Sequence, residues 1–445
     1  MTPSVLTAKN PEFMRHVWLE LSLHRMIGLP IIIGLLCLMV WYMDNGPNDF
    51  SGVSKMVMLI APWFIVWGSH LASESLLGEV RGQTWHAQRM SALSPWQLVW
   101  GKLLGSTLFT WYGVIWCLLI YLSVSSEAWP LRAALALFVV LAGLLLQALT
   151  LLFSLRSINR MGLSGRNQSF PYVILVLLML APWFVGALAN INTPALWNGM
   201  EIPKTIFINA SALLFLAWAL LGLYRLMRVE LQMRQGFIVW LVFELFLMVY
   251  MAGFFVDVAF LNLHDPWSVT LAIAFLLAVT IAYLMFFLED TTALDIKRGL
   301  IALRAANGKE LVQLIPCWLV SLALALLVLP FFLISSQLLE LANSVFFLLS
   351  LLLFAVRDFI LLLWVRFRPH FKPSNRVAMV VYLTCSYSIL PAIFFAANTQ
   401  EWLALFLLPL PEQAYPLIQW PILLLEIGAA YWLLLRRWQQ VSDVS

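Results

Sequence analysis

The chain has 445 residues, 62% of them hydrophobic, 14% aromatic and only 11% charged, with 21 Trp and a formal net charge of +4. Ordinary soluble domains are about 45–50% apolar and about 25% charged, so a soluble globule is excluded. Long uninterrupted apolar runs exclude a β-barrel, whose strands alternate, and leave an all-α polytopic membrane protein.

Met1–Asn10 lacks an apolar segment followed by a small-residue cleavage site, so no removable signal peptide is expected. Over Asn10–Arg25, Phe13, Val17, Leu21 and His24 recur at i, i+4, i+8 and i+11 while Glu12, Arg15 and Glu20 lie elsewhere. This spacing predicts an amphipathic interfacial helix. Crossing roughly 30 Å of hydrocarbon takes about 20 apolar residues. On that measure twelve spans are expected, at 26–43, 55–72, 100–123, 132–155, 169–190, 205–226, 237–256, 267–288, 312–334, 342–364, 377–397 and 415–435.

Basic loops stay cytoplasmic. With both termini inside, only Lys55, Arg132 and Lys204 fall outside, leaving 23 of the 26 Lys and Arg on the inner side. The positive balance is then topology, and no nucleic-acid partner is implied.

The same features recur in the two sets of six spans, as a tandem duplication would leave them. The first half covers residues 1–236, with its interfacial helix over 10–25 and a long cytoplasmic loop over 73–99. The second covers 237–445, with the equivalent loop over 289–311. In each half the fifth and sixth spans are joined by an apolar, Pro-containing outer piece, at 190–204 and 402–410, which reads as a re-entrant or interfacial helical hairpin, with an ordinary Trp-rich interfacial loop as the alternative.

Four charged residues fall in the interior of spans, away from their ends, where a functional role is the default hypothesis. Glu244 and Glu426 are candidates to line a substrate path, or are carboxyls bonded to a neighbouring Trp, Ser or backbone group. Arg357 and Asp358 are adjacent, about 100° apart on a helix, and are expected to face different helices and pair with them, with Gln147 a counterpart in the first half. The six His and the four Cys, Cys37, Cys117, Cys317 and Cys385, form no metal-ligand spacing.

The most specific stretch is 74–105, ESLLGEVRGQTWHAQRMSALSPWQLVWGKLLG. Its acids Glu74 and Glu79, Arg81, a helix over Gln83–Ala92, the Ser94–Pro95 turn and the Gly101–Lys102 pair resemble the cytoplasmic loop of ABC-2-type exporter permeases. That resemblance implies a coupling helix that docks in a groove of a cytoplasmic ABC ATPase, with Trp85 as aromatic anchor among Arg81, His86, Gln88 and Arg89. Pro95 should end the coupling helix, Ser94 should cap the next one, and Lys102 can snorkel to phosphate headgroups. A basic, Trp-containing loop lying flat on anionic lipid is the alternative for the same residues.

The second loop keeps acids at Glu289 and Asp290, bases at Lys297 and Arg298, and a helix over 293–305 that includes Arg304, but lacks the small-Pro turn and the Gly-Lys pair. Either that half has diverged while still docking an ATPase, or one coupling site is degenerate. No G-x-x-x-x-G-K-[ST] element is present. The resemblance therefore implies a transporter subunit that is not itself an enzyme, sits in a bacterial inner membrane, and relies on partner ATPases, two per chain, to bind ATP and Mg. It further implies export of an amphipathic or hydrophobic substrate by alternating access.

A twelve-span ion-coupled secondary transporter is the second reading; it would want a compact loop after span 2 and a long central loop, the reverse of this chain. A membrane-embedded enzyme would need converging His, Asp, Glu or Arg at one interface, and no such cluster is visible.

Overall fold

The computed structural model of the chain describes residues 10–43, 50–91, 93–161, 193–233, 235–255, 265–289, 291–305, 307–335, 342–367, 373–397 and 416–442, with scattered residues between 173 and 191. The described chain is dominated by helices. Eight of them are long and apolar enough to cross a membrane, or nine when one bent pair is counted as a single span. The protein is thus a helical, polytopic membrane protein. It divides into two compact units, the first made of residues 1–195 and 201–235 and the second of 196–200 and 236–445.

The first unit begins with α1 (Pro11–Glu20), α2 (Leu23–Met43) and α3 (Ser51–Arg81). At about 1.5 Å per residue α3 runs about 46 Å, well past the hydrocarbon thickness, and its charged residues Glu74, Glu79 and Arg81 gather in its last turns. It stops at Gly82, and Gln83 then takes a left-handed φ of 59° that a helix cannot contain. After α4 (Trp85–Arg89), α5 (Pro95–Trp100) passes into a π-helical turn over Gly101–Gly105 and bends by 54° into α6 (Leu108–Val124). Ser94 caps α5 in a reciprocal capping box with Gln97, and Pro95 occupies the first turn, as the Ser-Pro pair predicts. Helix α7 (Trp129–Met161) packs against both α3 and α8 (Lys204–Glu230). Leu76, Trp85, Leu98, Leu103, Leu151 and Leu223 share one buried core where these helices meet.

The outer piece between 190 and 204 is not a helical hairpin. It is a two-stranded β-hairpin of β1 (Ala195–Trp197) and β2 (Met200–Ile202). Asn198 and Gly199 both have positive φ, 51° and 73°, which is the backbone an Asn-Gly two-residue turn adopts and which closes strands with the correct twist. The tip belongs to the second unit, where the Trp197 indole donates to the Tyr250 carbonyl at 3.0 Å.

The second unit contains α9 (Ile238–Ala252), α10 (Pro266–Leu288), α11 (Ala293–Arg304), α12 (Gly308–Leu314), α13 (Cys317–Ser335), α14 (Ala342–Arg366), α15 (Pro373–Thr384), a π-helical turn over Cys385–Ile389, α16 (Leu390–Ala396) and α17 (Pro416–Ser442). Its core runs along α10, α13 and α14 through Val269, Phe275, Phe286, Phe332, Leu348 and Phe359. Apart from 169–190, which lies mostly outside the described residues, each stretch expected as a span overlaps a helix; α9, at 15 residues, is shorter than a full crossing. The outer piece at 402–410 lies outside the described residues.

Candidate functional site

The sequence-specific stretch 74–105 folds around a buried charge cluster in the first unit. Gly101 and Gly105 stand four apart on the π-helical turn, and α1 crosses directly over them. A Cβ at Gly101 would lie 2.6 Å from Glu12 Cγ, and one at Gly105 would lie 3.0 Å from His16 Cβ. Only glycine permits that approach, and it brings Glu12 to the side chain of the intervening Lys102.

Lys102 is fully buried. Its ammonium pairs with Glu79 and stands 3.7 Å from Glu12. Arg15 bridges the same two carboxylates at 2.7 and 2.6 Å. Gln88 of α4 donates to Glu79 at 2.9 Å and to Glu12 at 3.3 Å. Two cations and two carboxylates therefore neutralise one another: Lys102, Glu12 and Glu79 are buried, where unpaired charges would cost several kcal/mol, and Arg15 reaches the two carboxylates from the exposed side. Burial by itself would raise the Glu12 carboxyl; the His16 hydrogen bond and the charges of Lys102, Arg15 and His16 outweigh it and bring the group down to about 2. The same carboxylates hold Arg15 above its ordinary value, against the effect of its own burial.

This cluster revises several sequence-based expectations. Helix α1 exists but is packed the other way round: its buried residues are Glu12 and His16, while Trp18 is 82% exposed. Lys102 does not snorkel, because Glu79 and Glu12 hold it inside. Trp85 is not a surface anchor. It is 3% exposed and sits in the core with the Lys102 ammonium 5.4 Å from its ring centre. The helix expected over 83–92 is shorter, spanning Trp85–Arg89. The outward face of this loop instead presents Arg81, His86 and Met90, the last 89% exposed. Arg81 is paired with Glu74, and Arg89 is half-buried. Gly101-x-x-x-Gly105 was the available sequence signal for the α1 crossing, and no pattern in the sequence points from it to Glu12 and Arg15.

In the second unit Glu289 acts as a cap, not as part of a charge cluster. Its carboxylate accepts the backbone N–H groups of Cys317 and Trp318 at 3.1 and 3.4 Å, at the start of α13. Asp290 lies outside the described residues. Arg298 and Arg304 are exposed on α11, whose start is closed by a Thr292–Asp295 capping box.

The polar residues expected within spans are bonded as follows. Glu244 is fully buried and accepts the Ser321 hydroxyl at 2.8 Å; Ser321 in turn accepts the Trp240 indole at 3.2 Å. Gln147 accepts the Trp111 indole at 2.9 Å. Arg357 and Asp358, expected to diverge, bond to each other at 3.0 Å because the long guanidinium arm folds back over the intervening arc. Arg357 also reaches Glu426 at 2.8 Å. Asp358 accepts Tyr283, Tyr382 and Tyr387 at 2.8, 2.8 and 2.6 Å. None of these tyrosines was singled out in the sequence, where nothing marks them as partners of an acid. No group of three or more metal-ligating side chains occurs among the described residues.

Compared with known protein families, with characterised proteins and with solved structures, the chain matches none.

Proposed function

We propose that this chain is the membrane subunit of an ABC-2-type exporter, with its two six-span halves fused, twelve spans in all and both termini cytoplasmic. It moves an amphipathic or hydrophobic substrate by alternating access, driven by two separate ATPase subunits at a bacterial inner membrane. Glu244 and Glu426 are the residues proposed to line the substrate path. The observation that carries this reading is the charge lock on the loop over 74–105. A loop that passes force from a soluble motor to membrane helices must move as one body with them. Glu79 on α3, Gln88 on α4 and Lys102 on the bent third span are tied through one carboxylate, while His86 and Met90 face outward, free to meet a partner. Methionine suits such a surface because its unbranched thioether adapts to the opposing groove. The exposed Leu300, Ile301 and Leu303 beside Arg298 and Arg304 on α11 offer the second half a comparable face.

The test is purification from the native host in mild detergent, where a soluble ATPase should accompany the chain; recovery of the chain alone overturns the proposal. In the complex, His86→Ala with Met90→Ala should lower transport-linked ATP hydrolysis at least about tenfold without changing the yield of inserted protein.

A further inference from the structure

Around Arg357 the described residues place one cation against two carboxylates, Asp358 and Glu426. The three tyrosine hydroxyls that converge there are all donated to Asp358. Asp358 also takes two guanidinium N–H groups and is fully buried, so the Arg357 charge is already matched inside the protein. Glu426 is the surplus. Among the described residues it receives a single hydrogen bond, from Arg357 Nη1 to Oε2, and its side chain is 40% exposed whereas that of Arg357 is only 6% exposed. It stands in the middle of α17, and its surroundings are apolar: Leu425 and Ala429 beside it are exposed, and a Cβ at Gly428 would meet open space. A carboxylate presented on an exposed apolar strip, with its local cation already shared with Asp358, can take a positive charge from outside the chain. A hydrated metal ion cannot keep its shell against Leu425 and Ala429. A cation carried on an apolar body can pair with the carboxylate and cover that strip at once.

We infer that Glu426 is the recognition point for an amphipathic ammonium ligand, whose charge pairs with the open oxygen of Glu426 and whose apolar body lies along α17. The inference rests on the exporter reading only in making this ligand the cargo; the binding site itself follows from the cluster.

The experiment uses the full chain in phosphatidylcholine nanodiscs and tritiated dodecylamine, read by scintillation proximity. Saturable binding is expected, with unlabelled dodecylamine competing at least about tenfold better than dodecanol, since only the amine carries the charge. Glu426→Gln, which can still accept from Arg357, should weaken amine binding by at least the same factor. Equal competition by dodecanol would show that the surplus carboxylate holds a proton instead and would overturn the inference, as would unchanged affinity in Glu426→Gln. The amine-against-alcohol comparison uses the unmodified chain, so it stands even if the variant fails to fold. Amine binding by a chain that recruits no ATPase would keep the site and remove the exporter reading. Absence of binding in a chain that does recruit one would do the reverse.

Discussion

Lys102 has no exposed surface, so its charge is held entirely by its partners. Lys102→Met would keep the apolar stem and remove the ammonium, leaving Glu79 and Glu12 to Arg15 alone. Breaking a buried pair in this way costs about 3–5 kcal/mol, and a large drop in detergent melting temperature is expected. Adding Glu79→Gln should recover much of it, because the uncompensated charge goes with it; absence of recovery would mean that Lys102 is not balanced through Glu79. Glu12 gives the same cluster a pH signature. Its carboxyl titrates near 2 in the folded chain against an ordinary 4.5. A depressed folded value contributes stability that is complete above about 4.5 and disappears as pH falls toward 2. The melting temperature of the wild type should therefore decline across that interval, and the gap between wild type and Glu12→Gln should close with it.

At the scale of elements, α1 and the π-helical turn are joined by glycine contact. Gly101→Ala would gain up to about 1 kcal/mol of helix propensity, but its Cβ would meet Glu12 Cγ at 2.6 Å. Glu12 is pinned by Arg15 and Gln88 and cannot step aside, so overpacking of about 1–3 kcal/mol should win. The matched control is Gly28→Ala on α2, where a Cβ meets nothing within 4 Å and no loss is expected. A Gly101→Ala chain as stable as wild type would remove the close crossing from the argument. Element identity was readable wherever apolar runs were long, as in α3, α7 and α10. It is not readable from composition at 190–204, where Asn198-Gly199, a strong hairpin signal, is set inside an apolar, Pro-containing stretch. Facing was harder still. On α1 a periodic pattern shows which residues share a side but not whether that side meets lipid or protein, and Glu12 and His16 turned inward because Lys102 and Glu79 were there to receive them. The Asp358 tyrosines illustrate the same limit, since three helical regions had to fold before their hydroxyls shared one acceptor.

For the whole molecule, the proposed orientation depends on the asymmetry of 23 inner bases out of 26. It predicts opposite labelling of two exposed positions. With Cys37, Cys117, Cys317 and Cys385 replaced, a cysteine at Ser91 should react with a membrane-impermeant maleimide only when the inner face is opened. One at Gly199 should react in intact cells. Labelling of both from the same side would break the proposed topology, because an odd number of crossings is expected between them. The two-unit division, with 236–445 falling wholly in the second unit, keeps each of the loops over 73–99 and 289–311 in the same unit as the helices of its own half.

Because α1 turns Glu12 and His16 inward, Trp18 is left to the surroundings. Indole rings settle at the headgroup level of a bilayer, so an exposed Trp18 is expected to meet that layer at one end of a short helix whose other end is clamped to Glu79 and Lys102. A change in the headgroup layer is then expected to reach the charge lock through α1, and a melting temperature of the Trp18→Ser chain that follows bilayer thickness as the wild type does would remove that link.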